Sequence, residues 1–139
     1  MAFGDGTDIY RELGVTPIIT ASGSTTAYGG SKLRPEVVDA MVKASTTMVN
    51  IDELNKAAGK VLARVTGAEA GLVTNGAASG LILQAAAVMA GSDPAKMAQL
   101  PDPTGLKNEI IIHRSHRFPY DQCYRATGAT LVEVGHGRR

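Results

Sequence analysis

The densest group of chemically capable side chains is His113-Arg114-Ser115-His116-Arg117, which follows the isoleucine run Ile110-Ile111-Ile112 and leads into Phe118-Pro119-Tyr120. An imidazole at the end of a buried strand can stack on an aromatic ligand or move protons near neutral pH. The same residues could equally form a solvated loop that caps the strand. The spacing His113-x-x-His116 is only the start of a metal site, because no carboxylate or cysteine is spaced to complete it. A second candidate is Thr74-Asn75-Gly76-Ala77-Ala78-Ser79-Gly80, where small residues would let an anion reach backbone N–H groups at a helix start. Gly76 and Gly80 do not have the G-x-G-x-x-G spacing, and no Gly-Lys-Ser/Thr follows, so neither nucleotide fingerprint is matched. Tight strand-to-helix packing would need the same small residues. The loop Ala21 to Gly30, rich in Ser, Thr and Gly, is a third ligand-facing candidate, although neither Ser22 nor Ser24 sits in a G-x-S-x-G elbow. Cys123 has no base beside it in sequence and reads as buried and inert.

These groups need elements to hold them. Pro35 opens a helix that carries Val37, Val38, Met41 and Val42 at helical spacing and ends near Thr46-Thr47. Asn50 is placed to cap a second helix, with Glu53 in the capping-box position and Gly67 as its stop. Ala68 to Asn75 reads as a short buried strand, and Gly76 to Ala90 as a helix apolar nearly all round, which belongs inside a larger structure. The uncharged stretch Ala70–Ala90 is long enough for a bilayer, but its polar residues and change of character at Asn75-Gly76 favour strand then helix. Asp93-Pro94 opens a short helix to Gln99, Glu109–His113 is the strongest strand, Asp121 to Ala126 a short helix, and Thr130–Val134 a last strand. Strand, helix, strand, helix, strand implies an α/β fold with a parallel sheet. Val15 to Thr20 reads as an extended piece with Pro17 at its edge, and the stretch before Arg11 as a loose arm or short helix ending at Gly14.

Composition limits the function. The chain has 139 residues, 44% hydrophobic and 19% charged, as expected of a globular protein rather than a disordered one. A net charge of +1 excludes a surface built to coat nucleic acid. One cysteine cannot close an internal disulfide, and no leader pattern opens the chain, so a cytoplasmic location is expected.

Several motifs then fall into a known order. Thr16-Pro17-Ile18-Ile19-Thr20-Ala21-Ser22-Gly23-Ser24, Gly29-Gly30-Ser31 before Pro35-Glu36-Val37, Ile51-Asp52-Glu53-Leu54, Thr66-Gly67-Ala68-Glu69-Ala70, Thr74-Asn75-Gly76-Ala77-Ala78, Asp93-Pro94-Ala95-Lys96 and Leu100-Pro101-Asp102 cover nearly the whole chain. Their order and spacing resemble the N-terminal part of the selenocysteine-synthase-like (SelA-like) family of pyridoxal 5'-phosphate enzymes. Its branches include L-seryl-tRNA selenium transferases and D-glucosaminate-6-phosphate ammonia-lyases. The resemblance implies an aspartate-aminotransferase-like α/β fold (PLP fold type I) with a mostly parallel sheet, of which this chain holds an incomplete large domain. Residues 1–50 would supply an arm, an active-site-mouth loop and the first helix, and residues 51–139 the start of the cofactor-binding domain.

By the same resemblance, Asn75, Gly76, Ala77 and Ala78 match the segment that holds the cofactor phosphate, and His116 the position over the pyridine ring, where the selenium transferases look acidic. Ser22 and Gly23 match a small-residue segment at the active-site mouth, with Thr20 where an Asn is expected. Arg117 joins them as an expected substrate-binding residue. The Schiff-base lysine of the family is expected beyond residue 139, and Lys32, Lys43, Lys56, Lys60, Lys96 and Lys107 lie in helix-face or loop contexts unlike its small-residue turn. The implied activity is lyase or transferase chemistry on an amino acid or amino sugar acid, through Cα deprotonation and β-elimination. A homo-oligomer is implied for the full-length protein, while the lack of a basic extension before residue 10 points to a small molecule rather than tRNA, and no membrane partner is expected. The alternatives are a catalytically inactive fragment that binds phosphate compounds or a partner chain, and a histidine-based metal hydrolase.

Overall fold

The computed structural model describes residues 6–137. The chain divides into two compact units, Met1–Val49 and Asn50–Arg139. In the first, helix α1 (Thr7–Glu12) precedes an extended stretch that joins no sheet, then a 3-10 turn at Thr26–Tyr28 closed by an isolated antiparallel bridge between Thr25 and Gly30. Helix α2 (Pro35–Ala44) starts on Pro35, whose missing N–H costs nothing at that position, and carries Glu36 in its first turn and Lys43 in its last. Its bounds stop short of Thr46-Thr47, where the hydroxyl of Thr46 and the backbone N–H of Thr47 turn back to the helix end instead.

The second unit opens with helix α3 (Ile51–Thr66). The Asn50 carboxamide oxygen accepts from the N–H groups of Asp52 at 2.9 Å and Glu53 at 3.2 Å, which satisfies two donors the helix cannot. At the other end Gly67 adopts the left-handed conformation that terminates the helix. Residues 68–75 correct the sequence expectation, for they form no strand. Among the described residues no strand pairs with them, and they lie against α3 instead. The Asn55 side chain bonds both backbone groups of Val73, and Gly71 approaches Gly59 so closely that a Cβ on Gly59 would run into the Gly71 carbonyl.

Helix α4 (Ala77–Ala90) is followed by α5 (Pro94–Gln99), capped by Asp93, whose carboxylate accepts from the N–H groups of Ala95 at 2.9 Å and Lys96 at 3.4 Å. Strands β1 (Glu109–His113) and β2 (Thr130–Val134) pair in parallel, Glu109 opposite Thr130 and His113 opposite Val134. Between them lie 3-10 turns at Arg114–His116 and Pro119–Asp121 and the short helix α6 (Gln122–Arg125). The parallel pairing is as expected, in a sheet of two strands rather than three.

The core of this unit forms where α4 meets α6. Ala85, Met89, Ala90, Cys123 and Ala129 are buried there, with Thr127 donating its hydroxyl to the Tyr124 carbonyl. Among the described residues the principal neighbours of α4 are α5 and α6, and Val88 remains 78% exposed.

Candidate functional site

The start of α4 presents unused donors to solvent. Gly76 has φ 88° and ψ 170°, a combination that a residue with a Cβ adopts only under strain, and it brings the chain into the helix without a side-chain cap. The Thr74 hydroxyl donates to the Gly76 carbonyl at 3.0 Å, and the Ser79 hydroxyl to the Asn75 carbonyl at 3.0 Å, so both hydroxyls brace the turn. The first helical bond runs from the Gly80 N–H to the Gly76 carbonyl at 3.2 Å. The N–H groups of Ala77, Ala78 and Ser79 bond no group among the described residues, and Asn75 to Ala78 are exposed. Consecutive free donors at the positive end of a fourteen-residue helix favour an anion.

The histidine loop stands beyond the carboxyl ends of the parallel strands, where open α/β sheets bind ligands. His113 ends β1, and its Nδ1 accepts from the Ser115 N–H at 3.3 Å and lies 2.7 Å from the Ser115 hydroxyl. The backbone N–H can only donate, so the neutral ring carries its proton on Nε2. His116 is exposed, with its ring centroid 5.2 Å from that of His113 and the planes inclined by 47°.

Arg117 is committed to two carboxylates. Its Nε donates to Asp121 and its Nη1 to Glu133, while Arg114 Nε reaches the other Glu133 oxygen at 3.1 Å. The hydrogen bond to Asp121 holds the Arg117 guanidinium protonated beyond its ordinary range, with burial opposing and the charges of Asp121 and Glu133 adding to it. Asp121 is buried, and its Oδ1 has no partner among the described residues. The network ties the loop after β1 to β2 through side chains distant in sequence, a link that local pattern could not reveal. In the first unit, the Thr20 hydroxyl lies 2.8 Å from that of Ser22 and accepts from the Ser22 N–H at 3.2 Å, and Gly23 takes a positive φ of 79°. The hydroxyl at residue 20 thus organises the loop that carries Ser22 and Gly23.

The described residues show no hydrogen bond, ion pair or ring contact joining Asn75–Ala78 to His116 or Arg117. Among them no group of three or more His, Cys, Asp or Glu comes together to hold a metal ion. No helix among them is long and apolar enough to cross a membrane. All six lysines are exposed.

Helices together with a small parallel sheet define an α/β protein. Its relatives are specific. The solved structure of D-glucosaminate-6-phosphate ammonia-lyase superposes with a TM-score of 0.87 at 34% identity, over 98% of this chain and 37% of that one. D-glucosaminate-6-phosphate ammonia lyase of Salmonella typhimurium (strain 14028s / SGSC 2262) is 36% identical over 132 residues, 92% of this chain and 36% of its own length. A 5'-C-glycyluridine monooxygenase-decarboxylase of a Streptomyces species is also 36% identical, over 97% of this chain and 33% of its own. No family model matches. The chain spans about a third of the length of the curated relatives it matches.

Proposed function

We propose that this chain is the phosphate-gripping part of a pyridoxal 5'-phosphate-dependent enzyme of the aspartate-aminotransferase fold, acting on an amino acid or amino sugar acid by Cα deprotonation and β-elimination. The observation that carries the reading is the row of free N–H donors at Ala77, Ala78 and Ser79, which fits a phosphate dianion. The names of the two relatives support the substrate class, since each describes an amino-acid function on a sugar-derived skeleton. When bound, the cofactor supplies an electron sink for the carbanion left at Cα. Asn75 and Gly76 shape the turn, Ala77 and Ala78 donate to phosphate, and His116 offers its exposed ring face to the pyridine ring. Ser22, Gly23 and Arg117 are the substrate-side residues of this reading, Arg117 acting with its charge already shared between Asp121 and Glu133. The partner is a small molecule rather than tRNA, in a homo-oligomer.

The decisive variant is Ala77→Pro. Proline is tolerated at the first position of a helix, so it deletes one donor and leaves α4 in place. Titration of 15N-labelled chain with pyridoxal 5'-phosphate is expected to move the Ala77, Ala78 and Ser79 amide resonances, whereas pyridoxal without its phosphate leaves them still. Ala77→Pro weakens the affinity about tenfold or more, the worth of one charge-assisted hydrogen bond. Equal responses to the two compounds, or unchanged affinity in the variant, reject the reading.

A further inference from the structure

We propose that His113 is a positioning residue for His116, and that Gly135 exists as glycine to seat the His113 ring. The order of the chain brings the parts together. His113 and Val134 are register partners at the ends of the parallel strands, so the residue after Val134 emerges beside the His113 side chain. Gly135 leaves no room for more than hydrogen there. A Cβ at this position would come 2.6 Å from His113 Cδ2 and 2.9 Å from Cε1, with Nε2 closer still. The ring therefore packs on the bare backbone of the strand exit.

Ser115 fixes the ring from the other edge. Its N–H donates to Nδ1 at 3.3 Å and its hydroxyl stands 2.7 Å away, so rotation about the Cβ–Cγ bond would forfeit both contacts. A ring gripped by Gly135 and by Ser115 offers a fixed neighbour to His116, whose own centroid lies 5.2 Å off at an angle of 47°. His116 makes no side-chain hydrogen bond among the described residues, and its orientation depends on this ring contact. An exposed imidazole that must meet a flat ligand gains from being held, because the ordering of its side chain is then complete before the ligand arrives.

The ligand half of this inference rests on the reading of His116 as facing the pyridine ring; the positional half does not. The test uses the full chain with 15N-labelled histidine. Without ligand, the wild type is expected to show proximity between the two imidazoles and the Nε2–H tautomer at His113. His113→Ala shifts the His116 ring resonances, and so does Gly135→Ala, though residue 135 is not its ring neighbour. Gly135 has a positive φ of 77°, so its alanine variant is also strained. The double variant separates the effects, since in a His113→Ala background Gly135→Ala leaves His116 unmoved if the ring transmits the change. With pyridoxal 5'-phosphate, His113→Ala is expected to weaken binding roughly two- to tenfold, as loss of an aromatic contact does, and to have no further effect once His116 is alanine. His116 resonances that are the same in wild type and His113→Ala overturn the positioning role. Resonances that shift while ligand affinity stays constant retain the ring contact, and overturn the ligand half.

Discussion

Asn55 does for Val73 what a neighbouring strand would do. Its Oδ1 accepts from the Val73 N–H at 3.1 Å and its Nδ2 donates to the Val73 carbonyl at 3.4 Å, eighteen positions along the chain. One carboxamide thus supplies the donor and acceptor that a β-ladder would give a single residue. Asn55→Ala is expected to lower the stability of this unit by about 1–2 kcal/mol through loss of both bonds. Asn55→Asp keeps the acceptor and loses the donor, so it falls between the two in urea denaturation.

Gly59 inverts a familiar substitution. In the middle of an exposed helix, glycine to alanine stabilises by about 1 kcal/mol. In α3, a Cβ at position 59 meets the Gly71 carbonyl, and the same change at Gly71 brings a Cβ within 2.6 Å of Leu62 Cβ. Gly59→Ala should therefore destabilise, by about 1–3 kcal/mol as for other overpacked sites, with the amides of residues 70–74 becoming faster to exchange. A higher melting temperature for Gly59→Ala would contradict the close packing.

Asp102 gives the loop after α5 a pH response. The Thr104 hydroxyl donates to Oδ1 at 2.6 Å and the Thr104 N–H at 3.0 Å, and these bonds hold the carboxyl below the ordinary aspartate range, the side-chain bond most and burial opposing. A carboxyl with a lowered folded pKa stabilises the fold above its unfolded value, and the contribution is lost as pH falls through the folded one. The Thr104 amide resonance should accordingly hold steady at neutral pH and move only below the normal aspartate titration. Asp102→Asn, which still offers an acceptor oxygen, removes that titration; a Thr104 shift that persists in the variant refutes the assignment.

Borohydride chemistry tests the lysines. Lys32, Lys43, Lys56, Lys60, Lys96 and Lys107 are all exposed, and none sits in a turn of small residues. Reduction of the chain with pyridoxal 5'-phosphate is expected to label them weakly and without preference in peptide mapping. A single lysine modified in full would identify a Schiff-base residue within this chain and overturn the expectation.

Much of this architecture is written locally. Asn50 and Asp93 announce their helices because a short side chain at the first position can reach back to free N–H groups, and Gly67 ends α3 because glycine turns left without strain. The Ile-rich β1 and its parallel partner β2 were legible for the same reason, as apolar runs between turn residues. Residues 68–75 were not. Leu72 and Val73 favour extended backbone, but whether an extended segment becomes a strand depends on a partner, and here the partner is the Asn55 side chain on a helix. The candidate phosphate turn was visible as small residues before an apolar helix, whereas the seat of His113 on Gly135 and the ion pair of Arg117 with Glu133 involve residues brought together only by strand pairing.

The pairing of β1 with β2 alone has a last consequence, for colloidal behaviour. Among the described residues, β1 has one neighbour, and Ile111 on it is 72% exposed. A bare β edge with three isoleucines is a template onto which another extended chain could stack and grow into a fibril. Lys107 and Glu109 stand before the isoleucines, and Arg114 after them, so an in-register stack would superimpose like charges at both ends. The ionic bracket that borders the histidine loop thus also acts as a gatekeeper against self-assembly, and high salt, by screening it, should bring the chain closer to precipitation.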